Sequence, residues 1–250
     1  MLIIAHRGFS ALAPENTIIS FQKAIRAEAD LVEMDLRLSR DREVMVFHDR
    51  DLDRNTDGRG PVAGKTLVEL KQFDAGIRFS DQFKGQRIPT LAEVLDLFSL
   101  TPTGLYLELK LDRGREDERS DLVSQTLRVL ADTAFPNRLV LASFDLPAVR
   151  LVQKLRPDLE TGLIFRDEAV WGEMERGALN GLEVLSARWN IVTVGRVAAA
   201  RQAGKEVWAW TVDRPEELAR VRAAGVDGVA TNNPAWLKAE LGTVRNFTKE

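Results

Sequence analysis

Residues 31–36 read Leu-Val-Glu-Met-Asp-Leu, a short apolar run that two acids interrupt at alternate positions. A run of this length is typical of a buried strand, in which successive side chains point to opposite faces. Glu33 and Asp35 then point to one face, and the apolar residues around them point to the other. The sequence predicts a strand that packs its apolar face on helices and carries two carboxylates on the opposite face.

Short apolar runs of this kind recur along the whole chain. Most are too short for helices and are bounded by turn residues, so we expect each to be a buried strand. The runs are Leu2–Ala5, Leu31–Leu36, Val44–Phe47, Leu105–Leu109, Leu139–Ala142, Thr161–Ile164, Leu182–Leu185, Glu206–Trp210 and Val226–Ala230.

The segments between these runs carry helix signals. Thr66 and Thr90 each begin a Thr-x-x-Glu capping box, and Asn233 precedes a proline as an N-cap would. About eight strand–helix units result, with one extra strand near Val44, and such repetition predicts parallel strands with right-handed crossovers. The count favours an α/β fold closed as a (β/α)8 TIM-type barrel. An open Rossmann-like sheet is the alternative, but no Gly-x-Gly-x-x-Gly turn follows the first run.

The chain length bounds the number of domains. A chain of 250 residues fits one α/β barrel, so we expect residues 1–250 to form a single domain. Residues 49–88 break the strand–helix rhythm, are rich in Asp, Arg and Gly, and exceed the roughly 12–15 residues of most structureless loops. We expect this segment to be a small insertion, after the second strand region, at the barrel mouth.

Composition excludes several classes of function. The net charge is −3 and there is no basic arm, so nucleic-acid binding is not expected and an anionic substrate would need a local cation. The chain has no cysteine, which excludes disulfides and thiolate metal sites. No stretch approaches the roughly 20 apolar residues of a membrane span, and the apolar N-terminal stretch is shorter than a signal-peptide core. We expect a soluble cytoplasmic protein without stable membrane insertion.

Polar side chains gather at the ends of several predicted strands. In a barrel of parallel strands, the carboxyl ends of all strands face the same mouth, where active sites lie. Side chains from separate segments should therefore converge there. They are His6, Arg7, Glu33, Asp35, His48, Asp49, Glu108 and Lys110.

The three strand acids have two interpretations. Glu33, Asp35 and Glu108 lie between apolar residues and are expected to face the barrel interior. Buried carboxylates that lie close together repel one another, and a divalent cation removes this repulsion. Oxygen ligands alone suit a hard cation such as Mg²⁺ or Ca²⁺. The alternative is that the acids form structural ion pairs with Arg37, Lys110 or Arg7.

The chain has only two histidines, and both follow predicted strands. His6 and His48 at one mouth beside carboxylates suggest an acid–base pair, because imidazole exchanges protons near neutral pH. The alternatives are that each is a structural histidine, that one binds the metal, or that His48 only begins a turn.

Two further groups of residues have two interpretations each. Asn16 or Thr17 is expected to be the N-cap of the first helix, with the alternative that Glu15 or Asn16 lies near the site. Large aromatic residues near strand ends are expected to pack in the core, with the alternative that they line a substrate pocket. Trp210 is retained as a candidate substrate contact.

Taken together, these segments resemble the glycerophosphodiester phosphodiesterase family, in particular its bacterial cytoplasmic type, over essentially the whole chain. The combination of segments is specific, although no single one is. The segments are His6-Arg7-Gly8, Pro14-Glu15-Asn16-Thr17, Glu33-x-Asp35, His48-Asp49, Glu108-x-Lys110, Trp210-Thr211-Val212 and Thr231-Asn232-Asn233-Pro234.

The resemblance implies a metal-dependent hydrolase on a (β/α)8 barrel. Its substrate would be a small glycerophosphodiester, and its products glycerol-3-phosphate and an alcohol. The resemblance also implies that Glu33, Asp35 and Glu108 bind one divalent cation, either Mg²⁺ or Ca²⁺.

The resemblance implies roles for four further residues. His6 and His48 would be the acid–base pair, and Arg7 and Lys110 would contact the phosphate. One alternative is a lysophospholipase D-like enzyme that acts on lysophospholipids. Another is a non-catalytic barrel that binds a ligand, although such a protein would be expected to have lost a histidine or a carboxylate. The sequence has no feature that sets an oligomeric state.

Overall fold

The computed structural model describes residues 1–112, 116–133, 135 and 137–245. The strands are β1 (Leu2–Ala5), β2 (Leu31–Leu38), β3 (Val44–Val46), β4 (Gly104–Leu109), β5 (Leu139–Ser143), β6 (Glu160–Phe165), β7 (Val184–Arg188), β8 (Glu206–Trp210) and β9 (Gly228–Thr231). The α-helices are α1 (Ile18–Arg26), α2 (Leu67–Leu70), α3 (Leu91–Phe98), α4 (Arg119–Ala131), α5 (Leu146–Leu155), α6 (Ala169–Glu175), α7 (Val194–Gln202), α8 (Pro215–Ala224) and α9 (Pro234–Arg245).

Eight of the strands are parallel and close into a barrel. The sheet order is β1-β9-β8-β7-β6-β5-β4-β2-β3, and a further pairing of β1 with β2 closes the ring. β3 stays outside the ring and pairs antiparallel with β2. The predicted (β/α)8 barrel is confirmed, and the Rossmann-like alternative is wrong because the sheet is closed.

Two apolar layers hold the barrel together. An outer layer between strands and helices includes Phe21, Met34, Leu36 and Phe98, all fully buried. The apolar positions between the acids of β2 therefore face the helices, as the alternation predicts. A smaller layer fills the barrel interior and consists of Ile4, Leu31, Tyr106, Val140, Ala142, Ile164, Val184, Trp208 and Ala230.

The helix caps that the sequence predicts at three positions are present. Thr66 and Thr90 cap α2 and α3 with full capping boxes, and Asn233 caps the start of α9. Several strands differ from their expected ranges, and β9, for example, begins at Gly228 rather than Val226. β7 begins at Val184 rather than Leu182. The two preceding residues follow a left-handed turn at Gly181, φ 83°, and so lie outside the sheet register.

Residues 49–88 contain α2 and a small core of their own. Leu52, Val62, Leu70 and Ile88 are buried there in one cluster, which also includes Met45 and Phe47 from the segment just before residue 49. Among the described residues, no helix has both the length and the apolar composition needed to cross a membrane.

Candidate active site

Three acidic side chains meet inside the barrel at the carboxyl ends of β2 and β4. Asp35 and Glu108 are register partners on these neighbouring strands, and Glu33 lies one inward-facing position before Asp35. All three are buried, and ligand oxygens from all three lie within 4.8 Å of one another. Parallel strands in register thus bring together acids that are more than 70 residues apart in the chain.

Two cations contact this cluster. Lys110 Nζ lies 2.8 Å from Glu108 Oε1 and 3.6 Å from Asp35 Oδ1. Arg7 Nε lies 3.3 Å from Asp35 Oδ2. The ion pairs considered from the sequence therefore form at Lys110 and at Arg7. If all three carboxylates are ionised, these two cations leave one negative charge that a metal ion would compensate.

The donor set fits a hard divalent cation. Asp35 Oδ1 is buried, and no hydrogen-bond partner for it occurs among the described residues. Burial and the neighbouring Asp35 and Glu108 carboxylates raise the pKa of Glu33 well above its usual range. Burial alone would also raise the pKa of Asp35, but Lys110 and Arg7 outweigh it and hold that pKa below its usual range. A cluster of carboxylate oxygens with one unpartnered buried oxygen, whose acids repel one another when ionised, suits Mg²⁺ or Ca²⁺.

The turn after β1 aims the Arg7 backbone and side chain at the acids. Arg7 has a φ of 55°, and its backbone N–H donates to Glu33 Oε2 at 2.8 Å. Gly8 follows with a φ of 81°, and a Cβ atom there would lie 2.4 Å from Ser20 Oγ. Only glycine fits that close approach, so the turn that aims Arg7 depends on Gly8. A non-glycine residue in this left-handed region is uncommon and concentrates at functional sites.

The segment before α1 supports the cluster from a second side. Thr17 is the N-cap of α1, whereas Asn16, with a φ of 56°, bonds to Asp35 instead. Asn16 Nδ2 donates to Asp35 Oδ2 at 2.7 Å, and Asp35 N donates to Asn16 Oδ1 at 3.2 Å. Glu15 accepts a bond from Arg7 at 3.0 Å and one from Arg54 at 2.8 Å. Thr17 is therefore the helix cap, and its neighbour Asn16 lies at the acid cluster, so each of the two interpretations applies to one of these residues.

His6 follows β1 directly and lies at the rim of the acid cluster. Its Nε2 lies 4.0 Å from Glu33 Oε2, and its Nδ1 lies 2.8 Å from Asn232 Oδ1. Burial and the positive charge of Arg7 lower the pKa of His6 to about 4. The ring is therefore neutral at physiological pH, so one of its nitrogens is free to accept a proton.

His48 follows β3 and lies beside a carboxylate. Its Nδ1 lies 2.6 Å from Asp49 Oδ1, and Arg37 Nε donates to its backbone oxygen at 2.8 Å. Arg37 pairs with Asp112 at 3.1 Å rather than with the strand acids, so the alternative in which Arg37 is an ion-pair partner of these acids is wrong. The geometry instead makes Arg37 a support for the His48 backbone.

One cavity of about 270 Å³ connects most of the candidate residues. His6, Arg7, Glu33, His48, Glu108 and Lys110 line it, together with Trp210. Trp210 packs edge-on against Phe144 with ring centroids 5.5 Å apart, and its Nε1 donates to Ser186 O at 3.0 Å. Phe144 is 46% exposed and Trp210 is partly buried against the interior layer of the barrel, and both rings line the cavity.

Several residues at the site were not singled out from the sequence, and Asp213 and Arg54 are two of them. Asp213 bonds to Asn232, the partner of His6, and Arg54 bridges Glu15 and Asp49. Asp213 follows β8 at a strand end, which is the signal that marked the other residues. Arg54 lies in a charged segment where its sequence neighbours give no such signal.

Comparisons with known proteins agree with one another. The model of the glycerophosphoryl diester phosphodiesterase family matches residues 6–236. A glycerophosphodiester phosphodiesterase from Caldanaerobacter subterraneus is 36% identical over 242 residues, covering 94% of this chain and 96% of that protein. One from Bacillus subtilis is 30% identical, covering 94% of this chain and 84% of that protein.

Solved structures show the same relationship. A phosphodiesterase from Oleispira antarctica, in complex with its product sn-glycerol-3-phosphate, superposes with a TM-score of 0.90 at 30% identity and covers 97% of both chains. The match with the family model covers nearly all of the chain, and these three relatives align over 84%, 96% and 97% of their own length. The chain therefore belongs to the glycerophosphodiester phosphodiesterase family.

Proposed function

We propose that this protein hydrolyses glycerophosphodiesters to glycerol-3-phosphate and an alcohol, with one divalent cation and with His6 and His48 as its acid–base pair. The observation that carries the proposal is that both histidines line one cavity, whose wall includes two members, Glu33 and Glu108, of the buried three-carboxylate cluster. The Oleispira phosphodiesterase, whose structure contains its product sn-glycerol-3-phosphate, supports the choice of substrate class.

Glu33, Asp35 and Glu108 would hold the cation. A bound Mg²⁺ or Ca²⁺ would polarise the phosphoryl oxygens and neutralise charge that develops on them. The cluster lies at the cavity wall through Glu33 and Glu108, so a phosphodiester in the cavity can reach it.

Arg7 and Lys110 would bind the phosphate. Both line the cavity, and burial of their side chains beside carboxylates places their positive charges where solvent screens them little. The planar Arg7 guanidinium can donate to two phosphate oxygens at once, whereas Lys110 acts as a point charge.

The two histidines would move the protons. His6 is neutral at physiological pH, so we assign it as the base that removes the proton from the attacking group, the substrate hydroxyl next to the phosphate. The attack expels the alcohol and forms a cyclic phosphate, which water then opens to glycerol-3-phosphate. His48 bonds to the Asp49 carboxylate, an arrangement that suits a group holding a proton, so we assign it as the acid that protonates the leaving alkoxide.

A coupled assay for glycerol-3-phosphate tests the proposal. The enzyme would be incubated with glycerophosphocholine, glycerophosphoethanolamine or glycerophosphoglycerol, in the presence of Mg²⁺, Ca²⁺ or EDTA. We expect release of glycerol-3-phosphate that EDTA abolishes and that one of the two cations restores. Lysophosphatidylcholine serves as the second substrate class. The proposal is wrong if no glycerophosphodiester is cleaved with either cation, or if cleavage is unaffected by EDTA.

A further inference from the structure

The loops after β8 and β9 join to hold one ring nitrogen of His6. Asn232, just after β9, places its Oδ1 2.8 Å from His6 Nδ1. Its other amide atom, Nδ2, donates to Asp213 Oδ2, and its backbone N–H donates to Asp213 Oδ1 at 2.8 Å. Thr231 Oγ1 also donates to Asp213 Oδ1, at 2.9 Å. A chain of bonds therefore runs from Asp213 through Asn232 to His6.

The direction of these bonds follows from the chemistry of the groups. An ionised carboxylate only accepts hydrogen bonds, so the Asn232 atom that faces Asp213 is the NH₂ group. The atom that faces His6 is then the amide oxygen, which also only accepts. His6 Nδ1 must carry the proton of this bond. In the neutral ring, the lone pair is left on Nε2, the nitrogen that lies 4.0 Å from Glu33 Oε2.

We infer that Asp213 is a positioning residue that fixes the tautomer of His6 through Asn232. Asp213 does not line the cavity and lies at the exposed end of the bond chain, so it touches neither the substrate nor the acid cluster. Its effect is to keep Nε2 unprotonated and turned to the site. The inference deepens the proposed function, in which His6 is the base.

The variant Asp213→Asn should reverse the direction of the hydrogen bonds that run from residue 213 through Asn232 to His6. If its oxygen keeps the bonds from Thr231 and from the Asn232 backbone, its NH₂ group faces the Asn232 NH₂ group, and two donors cannot bond. The Asn232 amide would then turn over and present NH₂ to His6, so that Nδ1 accepts and the proton moves to Nε2. Adding Asn232→Asp to this variant puts an acceptor back beside His6 Nδ1 and lets residue 213 donate to it.

Nitrogen NMR of the ¹⁵N-histidine-labelled protein with Mg²⁺ tests the inference, since only two histidines contribute signals. The spectrum is recorded at about pH 8, where neutral imidazole predominates. We expect the wild-type His6 to carry its proton on Nδ1, Asp213→Asn to carry it on Nε2, and the double variant to return it to Nδ1. Activity of Asp213→Asn should fall by ~10²–10⁴-fold, the range of general base terms. Asp96→Asn, at an exposed position of α3, is the matched control that should change neither signal nor rate.

The outcomes separate the two proposals. A wild-type His6 with its proton on Nε2 overturns the inference without any variant, so the test does not depend on whether Asp213→Asn folds. A folded Asp213→Asn protein that keeps the proton on Nδ1, or keeps full activity, also overturns it. If the wild type has the expected tautomer but cleaves no glycerophosphodiester, the proposed function fails and the positioning role stands.

Discussion

Replacing Glu33 by glutamine separates the metal-binding role of the acid cluster from its effect on folding. Glutamine has the shape of glutamate and can still accept the Arg7 backbone N–H, but it is uncharged. A ligand that binds only the folded state at about 100 times its Kd stabilises that state by about 2.7 kcal/mol. For a chain of this size, 1 kcal/mol corresponds to roughly 2–4 °C in Tm, so saturating Mg²⁺ should raise the wild-type Tm by about 5–11 °C.

The variant should lose nearly all of this rise. Changes around metal ligands typically weaken binding by about 10–100-fold, and the loss of a direct charged ligand belongs at the upper end. With affinity about 100-fold lower, the same Mg²⁺ concentration adds only about 0.4 kcal/mol, or roughly 1–2 °C.

Without metal, Glu33→Gln is expected to stabilise the folded protein rather than to lower its Tm relative to the wild type. The folded pKa of Glu33 is raised, so its contribution to stability is fully present below the unfolded pKa and is lost as the pH rises through the folded pKa. At neutral pH in EDTA, Glu33→Gln should therefore be at least as stable as the wild type, and its stability should depend less on pH.

Differential scanning calorimetry with EDTA and with Mg²⁺ measures both effects. Glu175→Gln, at an exposed position of α6, is the matched control and should keep the full Mg²⁺ shift. A Glu33→Gln protein that gains as many degrees from Mg²⁺ as the wild type would refute the reasoning, and the same shift with Ca²⁺ should be tested in parallel.

Three further predictions follow from individual residues. His6→Ala and His48→Ala should each lower kcat by ~10²–10⁴-fold with the fold intact, and losses under tenfold in both would remove them from the chemistry. Asp74 accepts hydrogen bonds from three backbone N–H groups, and these bonds outweigh the effect of burial and lower the pKa of its carboxyl group. The contribution of Asp74 to folding stability is therefore present above its unfolded pKa and is lost as the pH falls through its folded pKa. Asp74→Asn should therefore lower the free energy of unfolding in urea by about 1–3 kcal/mol at pH 7, and by less in acid. Lys205 is buried and donates hydrogen bonds to the carbonyl oxygens of residues 179 and 182. Lys205→Met should therefore lower the free energy of unfolding by about 1–3 kcal/mol in the same assay, and an unchanged urea midpoint would contradict a stabilising role for these two bonds.

The parts of the fold that the sequence predicts are those set by local periodicity. Alternation around Glu33 and Asp35 places these acids inside, and parallel strands then require that Glu108 join them. Residues at strand ends, such as His6 and Lys110, reach the same mouth for the same reason. Barrel closure therefore turns local patterns into a three-dimensional site.

The partners of these residues could not be predicted, because they depend on how loops from distant parts of the chain fold over the mouth. His6 and Asn232 are 226 positions apart, and nothing in either local pattern pairs them. Arg37 shows that residues close together in the sequence need not be partners. It lies two positions after Asp35 on the same strand, but Asp112 and the His48 backbone lie closer to its guanidinium, and this choice is visible only in three dimensions.

The central claim is that one divalent ion binds among Glu33, Asp35 and Glu108, and a crystal soaked with Mn²⁺ and glycerol-3-phosphate tests it most directly. Anomalous scattering locates the Mn²⁺ ion without ambiguity. We expect one strong peak with oxygen atoms of all three side chains at about 2.0–2.6 Å, and with phosphate oxygen in the same coordination shell. A peak elsewhere in the molecule, or a phosphate that binds while the three carboxylates hold no ion, would contradict the account.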